Sequence, residues 1–333
     1  MRHLESLRLI EAAARAGSIR KAADDMNITA SALVRRINRF EDEFGCEVFE
    51  RLPSGVRLNP AGELVLHHYR ATLSDLARVR GQVADLSGER RGHVSIACSQ
   101  ALLPWFLPRQ IARYRSQHPG VTFSVNVRDR ARAEQELASY SSDLALVFEP
   151  VYLVDFQVIA SIPQQVCAVM RADHPLAGRA ELRLRDCLDT THIAPSSSYG
   201  VRHLLDFAAK RGSRRVSPVV ETESFELIRQ YVIQEQVIGF QIPIGLAELD
   251  DDRLVLRPIS ERDLPPGNLI LGQMRGRTLP VASARFAMQL AAALEAEEAA
   301  RPQGGASRGA TSDSAAIPRR RASARPKGKA AED

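Results

Sequence analysis

Ser31, Val34, Arg35 and Asn38 are spaced three, one and three residues apart, so on a helix they share one face. Arg35 can reach a guanine edge or a phosphate, and Ser31 and Asn38 can hydrogen-bond to either. Val34 is apolar where water would favour a polar group, and an apolar side chain on a reading face can meet a thymine methyl. The competing reading is an ordinary helical hairpin with a few surface arginines.

A face of this kind needs a helix held at a fixed angle. Thr29 can cap one that turns Ala32, Leu33, Ile37 and Phe40 inward. Ser18 can cap a shorter helix before it, running through Ala22, Ala23 and Met26, with Asn27-Ile28-Thr29 as the turn between. Small Ala22 and Ala23 suit a close crossing, and two helices joined this tightly make a helix-turn-helix. Residues 4 to 15 read as a further helix, and Phe44, Val48 and Phe49 as the rest of the small core. In residues 49 to 62, Pro53-Ser54-Gly55 is a turn between two extended pieces. The resulting hairpin carries Arg51 and Arg57 at its edges, where a wing would meet phosphates or the minor groove. A plain surface hairpin is the alternative.

Asn59 caps and Pro60 starts a long helix expected to reach about Leu86. Leu66, Tyr69, Leu73, Leu76 and Val83 fall in a three-four alternation interrupted at Arg80, a seam that suits a partner helix and suggests dimerisation. Two-fold protein symmetry would then match two half-sites on double-stranded DNA. Ser87-Gly88 ends this helix, and ERRGH reads as a hinge.

Composition agrees with a chain of several folded units. The 333 residues allow two or three domains. No run of eighteen apolar residues and no signal-peptide pattern is present, so a cytoplasmic protein with no membrane partner is expected. Cys46, Cys98, Cys167 and Cys187 are widely spaced with no CxxC, which argues against structural zinc and against a disulfide scaffold. The formal charge of +5 sits in residues 301–333, which hold eight Lys/Arg against three acids. The rest of the chain is balanced. The tail is Arg/Ala/Ser/Pro/Gly-rich without periodicity, so it is expected to be disordered and to add salt-sensitive, non-specific DNA affinity.

From His93 strands alternate with helices, the signature of an α/β domain. Strands are expected at 93–99, 121–127, 144–148, 158–170 (one or two), 192–195, 216–221, 237–242, 254–258 and 273–277. Helices are expected at 102–116, 182–187, 199–209, 225–233 and 283–300. No GxGxxG, Walker sequence or HExxH occurs. No cofactor or metal is therefore expected.

Residues 4 to 66 resemble the N-terminal domain of LysR-type transcriptional regulators, through GSIRKAADDMNIT, SALVRRINRFEDEFGCEVFER and GVRLNPAGE. The second half resembles the effector-binding domain of that family at PWFLPRQIARYRSQHPGVTFSV, SSDLALVF, MRADHPLA and VIGFQIPIG. The resemblance implies an N-terminal winged helix-turn-helix (all-α with a β wing) and a C-terminal α/β effector domain of two subdomains, periplasmic-binding-protein-like. Boundaries follow at 1–59 for the DNA-binding domain, 60–88 for the linker and dimerisation helix, 89–300 for the effector domain and 301–333 for the tail. It also implies a homodimer or homotetramer and a small-molecule effector in a cleft. Three departures stand out. Ala30-Ser31 replaces the family's usual Gln-Pro or Gln-Ser, Val34 replaces a common Ser, and Gln236-Val237-Ile238-Gly239 replaces a Gly-x-Gly-Ile run. Arg35 keeps the family's basic position and Arg36 adds a second.

In such a fold ligands sit beyond the C-terminal ends of strands, where helix N-termini point in. Ser99 and Gln100 follow the first strand. Ser196, Ser197 and Ser198 follow another and precede the helix bearing Arg202. Both stretches offer hydroxyls and backbone N–H groups to an anion, so a small carboxylate is the expected effector. Arg128, Phe148, Thr222, Phe225 and Gln241 lie at other strand ends or helix starts and complete the candidate cleft. Serines that merely cap helices are the plainer reading. Glu221 and Glu223, if they faced inward, would favour a cationic ligand instead.

Other classes are weaker. Ser196 to Ser198, His192, His203 and Asp206 have hydrolase residue types without nucleophile-elbow spacing, so the chain is not expected to be an enzyme. A cysteine-based redox sensor would need an exposed thiol of lowered pKa, and Cys167 sits inside the apolar stretch VCAVM. A ligand-independent DNA-binding repressor or architectural protein is the main alternative.

Overall fold

The computed structural model describes residues 2–86, 91–152, 155–246 and 252–300. The expected disordered tail lies outside the described residues, as do Ser87-Gly88 and the first residues of the ERRGH hinge.

Helices α1 (Arg2–Ala16), α2 (Ile19–Asp25) and α3 (Ala30–Phe44) close over Ile10, Ala13, Ala22, Leu33, Ile37 and Phe40. Leu33, Ile37 and Phe40 recur at four and three, one stripe of an amphipathic helix. Ala22 and Ala23 are wholly buried, which lets the helices approach closely. The Ser18 hydroxyl accepts from Lys21 N–H at 3.4 Å, and Asn27 turns the chain at φ +53, a conformation its short polar side chain tolerates. Phe44 departs from the expected core. It ends α3 one turn beyond Phe40, where the core has run out, and is 58% exposed with its ring stacked on that of Phe40 at 5.3 Å.

The wing pairs β1 (Phe49–Leu52) with β2 (Gly55–Leu58), antiparallel, with Leu52 opposite Gly55. Val56 N–H donates to Gly17 O at 3.0 Å, which fastens the hairpin to the α1–α2 turn. Gly55 has φ +141, and a Cβ there would lie 2.1 Å from Gly17 O, so only glycine fits. Asn59 joins wing to helix: its Oδ1 accepts from Gly62 N–H and its Nδ2 donates to Glu47 O, both at 2.8 Å. The helix it caps, α4 (Pro60–Leu86), has 27 residues, a length of roughly 40 Å. Leu66 and Tyr69 are buried in the N-terminal core, whereas Leu73, Leu76, Val79 and Val83 are exposed along the remainder.

The α/β half begins with β3 (Gly92–Cys98), α5 (Phe106–Gln117), β4 (Val121–Val127), α6 (Arg130–Ala138), β5 (Leu144–Phe148) and β6 (Phe156–Gln164). The chain then crosses into a second subdomain of β7 (Cys167–Arg171), α7 (Leu184–Leu188), β8 (Ile193–Pro195), α8 (Gly200–Arg211), β9 (Val220–Thr222), α9 (Phe225–Gln234), β10 (Gly239–Gln241) and β11 (Leu254–Pro258). It returns through β12 (Gly267–Met274) and α10 (Val281–Ala299). The first subdomain is a five-stranded sheet, β4-β3-β5-β12-β6, parallel across β4, β3 and β5 and antiparallel at β12 and β6. The second holds β10-β7-β11 and the parallel pair β8-β9, linked by a bridge from His192 to Ile238. Gln165 ties the two crossings together, its Nε2 donating to Ile259 O at 2.6 Å and Leu264 O at 2.8 Å.

Three elements fall elsewhere than expected. The helix placed at 102–116 divides into a 3-10 turn, Gln100–Leu102, and α5, because Pro104 disfavours helical geometry before it. The strand placed at 216–221 shortens to β9, since Pro218 cannot donate to a ladder. The last strand lies at Gly267–Met274, where Leu269 and Leu271 are buried between β5 and β6, and the chain has turned away by Gly276. No helix among the described residues is long and apolar enough to cross a membrane.

Candidate nucleic-acid interface and effector cleft

The Thr29 hydroxyl accepts from Ala32 N–H at 3.2 Å and caps α3, which sets the rotation of the helix. Ser31, Arg35 and Asn38 are then exposed and Val34 half-buried, with Ser31 Oγ 3.2 Å from Thr29 Oγ1. Val34, Asn38 and Arg51 line one hollow of about 390 Å³ between α3, the start of α2 and the wing, together with Arg20. Sequence reading missed Arg20, because its approach depends on the α2–α3 crossing. Glu41 also borders the hollow, but its carboxylate accepts from Val48 N–H at 2.7 Å.

Thr29, Ser31, Arg35, Arg36 and Arg57 do not line this hollow, and the last two carry ion pairs within the domain. Arg36 Nη1 donates to Glu5 Oε1 at 2.6 Å, so the side chain braces α3 against α1. Arg57 faces Glu50 across the wing and donates to it at 2.7 Å, a pairing that raises its pKa. Arg36 and Arg57 stay exposed despite these pairings, and Arg35 and Arg51 are exposed as well.

The candidate cleft residues gather where the subdomains meet, and most bond within the protein. Gln100 Oε1 accepts from Phe225 N–H at 2.6 Å, so a side chain of the first subdomain occupies the N-terminus of α9 in the second. Ser99 is buried, and its hydroxyl accepts from Ala101 N–H at 3.4 Å. Phe148 is buried, and a Cβ on Gly200 would lie 2.3 Å from its carbonyl oxygen, which shows how closely α8 approaches β5. Phe225 packs edge-on to Tyr199, Gln241 accepts from Ile242 N–H at 2.9 Å, and Thr222 Oγ1 accepts from Ser224 N–H at 3.0 Å.

The arginines differ from the expectation of free anion ligands. Arg128 bonds to Glu136 and to Val127 O. Arg202 is buried, with Nε on Asp206 at 3.0 Å and Nη1 on Glu221 at 2.7 Å. Burial opposes its charge, but these two carboxylates outweigh that and raise its pKa. Glu221 is thereby committed to an arginine, which removes it as a ligand for a cation. The serines do not cap α8. Tyr199 holds the N-cap position without a side-chain bond, Ser196 Oγ lies 3.0 Å from Ser198 Oγ, and Ser197 is exposed.

Neither minority chemistry is assembled. Asp206 is engaged by Arg202, and His192 Nδ1 lies 2.8 Å from Thr190 O, so no hydrolytic set forms among these residues. Cys98, Cys167 and Cys187 are buried and Cys46 half-buried. Burial pushes the Cys98 and Cys187 thiols up to about 12, the wrong direction for a redox nucleophile.

Comparison with known proteins fits both halves. Residues 4–63 match the family model "Bacterial regulatory helix-turn-helix protein, lysR family", and residues 87–295 match "LysR substrate binding domain". The chain belongs to the LysR family. It is a DNA-binding transcriptional regulator with a ligand-binding domain, and the winged helix-turn-helix and two-subdomain α/β fold are those of the family.

Among relatives of this LysR-type regulator, the RuBisCO operon transcriptional regulator of Allochromatium vinosum is 31% identical over 210 residues, covering 63% of this chain and 69% of that protein. The transcriptional activator CmpR of Synechocystis is 24% identical over 229 residues, 69% of this chain and 75% of that protein. Among solved structures, a full-length OxyR from Pseudomonas aeruginosa has a TM-score of 0.65 at 18% identity, covering 88% of this chain and 94% of that one. CbnR complexed with its target DNA has a TM-score of 0.57 at 14% identity, with 86% and 98% covered. These last two support the fold.

Proposed function

We propose that this LysR-type regulator reads its operator with Ser31, Val34, Arg35 and Asn38 of α3 and with Arg51 of the wing, as a homo-oligomer joined through α4. The observation that carries this reading is the shared hollow, where an apolar Val34 and a polar Asn38 lie beside a cation from a separate element. Base edges are read by such mixed faces, and wing cations add phosphate or minor-groove contacts. For assembly, the support is the stripe Leu73, Leu76, Val79 and Val83, exposed on a helix that leaves its own core.

A small carboxylate in the cleft is the proposed effector, and the chain acts by binding rather than by catalysis or through a cofactor. The N-terminus of α8 has no side-chain cap, and at that of α9 the Ser224 hydroxyl accepts from Leu227 N–H at 3.1 Å while Phe225 N–H donates to the neutral Gln100 amide oxygen. A carboxylate is the stronger acceptor at a helix N-terminus, so it would displace Gln100 and release a bond between subdomains. Gln164 Nε2 and Gln165 Oε1 are buried at the crossing between subdomains with no hydrogen-bond partner among the described residues. A ligand-independent repressor is the second reading, favoured by how completely the cleft residues satisfy one another.

The test is recovery of genome fragments with the purified full chain, read by sequencing, with and without succinate. A few fragments sharing a two-fold-related motif, enriched differently when succinate is present, would support both parts. Fragments from operons of the type controlled by the A. vinosum relative would suggest a shared target. Diffuse recovery proportional to DNA length would overturn the operator reading, and recovery indifferent to succinate and related carboxylates would favour the ligand-independent one.

A further inference from the structure

We propose that the groove between α7 and the end of α8 is a second ligand site, built for an organic phosphate. The groove holds about 340 Å³ and is lined by the second subdomain alone. That volume is within the range of small-molecule sites. None of the candidate cleft residues lines it. Leu184, Ala208 and Ala209 are buried and Leu188 half-buried, so the two helices give it an apolar floor. Arg183, Arg185, Arg211, Arg214 and Arg262 form an exposed rim.

Against these arginines the lining holds one acid, Asp263. Both of its oxygens accept from Arg183, at 2.7 and 2.8 Å, and one also accepts from Leu184 N–H at 2.9 Å. Arg185 donates to Asp186 at 3.3 Å and Arg214 donates to Asp189, so these two have acids of their own outside the lining. Arg211 and Arg262 differ. Neither has a hydrogen bond or an ion pair among the described residues, and the chain is described without a break around each, from 155 to 246 and from 252 to 300. Arg211 sits in the last turn of α8, where the partial negative charge of a helix end would offset it. That end is already closed by its own backbone. Gly212 and Arg214 N–H donate to Ala209 O at 3.0 and 2.8 Å, and Ser213 N–H donates to Lys210 O at 3.1 Å. Arg262 stands on the turn that follows β11, and its neighbour Glu261 is exposed and does not line the groove.

Two uncommitted guanidinium groups on separate segments favour a phosphate. Its several oxygens can take paired bonds from both, whereas a monocarboxylate is saturated by one. The apolar floor between them selects a phosphate carried on an aromatic or aliphatic body over the inorganic ion. Residues 260–263 turn between Ile259 O and Leu264 O, the two carbonyls that Gln165 holds at the crossing between subdomains. A ligand drawn to Arg262 would stiffen that turn and bear on the crossing from outside the cleft. The groove thus offers the regulator a second input, independent of the carboxylate proposed for the cleft.

Phenyl phosphate is the probe, titrated calorimetrically into the full chain at constant ionic strength, with hydrogen exchange to locate it. The expected result is one saturable site per chain and slowed exchange at residues 183–188, 208–214 and 260–264. Arg262→Gln and Arg211→Gln should each lose about tenfold in affinity, the worth of one charge-assisted bond. Arg8→Gln, the same change on α1, should lose none. Inorganic phosphate should bind more weakly, and succinate should not compete. No saturable binding, equal losses in all three variants, or slowed exchange confined to residues 301–333 would overturn the proposal. Inorganic phosphate binding as tightly as phenyl phosphate would deny the floor its role and overturn the organic ligand. Displacement by succinate would assign the probe to the cleft and overturn the separate site, leaving the carboxylate reading of the cleft standing.

Discussion

The Arg277 guanidinium and the Asp143 carboxylate form an ion pair with side chains only 5% and 10% exposed, and the same guanidinium donates to Ser74 Oγ at 2.9 Å on α4. It also donates to Ser142 O at 2.8 Å and lies 5.1 Å from the Tyr140 ring centroid. Asp143 in turn accepts from Ser95 N–H and from the Ser283 hydroxyl. One buried cation therefore joins the linker helix, the start of β5 and the end of β12. Asp143→Ala should cost about 3–5 kcal/mol, because it strands a buried charge. Ser74→Ala should cost less, since the guanidinium keeps its other partners. Urea denaturation of the three proteins gives the ranking, and equal stabilities would deny the pair its structural role.

Arg35→Ala is expected to weaken operator binding by roughly 1–3 kcal/mol, the worth of a lost base contact, and to change binding to random DNA far less. Fluorescence anisotropy on both duplexes at one salt concentration separates the two. Equal losses would make Arg35 a phosphate contact. Val34→Ser should shift preference at a single base pair, seen by selection from a randomised operator.

Gly55→Ala would force a Cβ against Gly17 O and a side chain into a backbone region that costs about 1–3 kcal/mol. The wing would pull away from the α1–α2 turn and take Arg51 with it. Operator affinity should fall while helix content, measured by circular dichroism, stays unchanged.

Gln100→Ala removes the bond to Phe225 N–H between subdomains. The closed form should lose about 1 kcal/mol, and succinate should bind more tightly because its competitor for the α9 N-terminus is gone. Calorimetric titration checks this, and weaker succinate binding would instead make Gln100 a ligand contact.

Burial holds His192 and His174 below the ordinary 6.5. Between that value and the lowered folded values, the unfolded chain binds more protons than the folded one. Stability should therefore fall as pH drops through the window below 6.5 and be fully retained above it. His192→Asn, which keeps a donor for Thr190 O, should flatten the fall. Thermal midpoints from pH 7.5 to 5 provide the test.

Local features were the legible ones. Thr29, the apolar stripe of α3, the wing turn and Asn59-Pro60 act within a few residues of themselves, so spacing reveals them. The α/β strands showed as apolar runs, blurred where Pro104 and Pro218 intervened. Side-chain partners were not legible. Gln100 meets Phe225 across 125 residues and Arg277 meets Ser74 across 203, and such pairings leave no periodic trace. Arg36, Arg57, Arg128 and Arg202 looked available for ligands because their acids, Glu5, Glu50, Glu136, Asp206 and Glu221, were not visible as partners until the chain folded.

Three of the four thiols lie within the interior, while Cys46, just past the end of α3, is partly open to solvent. A maleimide dye or nitroxide offered to the folded protein should therefore attach at that one position without any engineered cysteine. It would put a spectroscopic ruler beside the DNA-reading helix of each subunit. The spacing between two such labels, followed as DNA or effector is added, would report the separation of the reading heads in the unaltered protein.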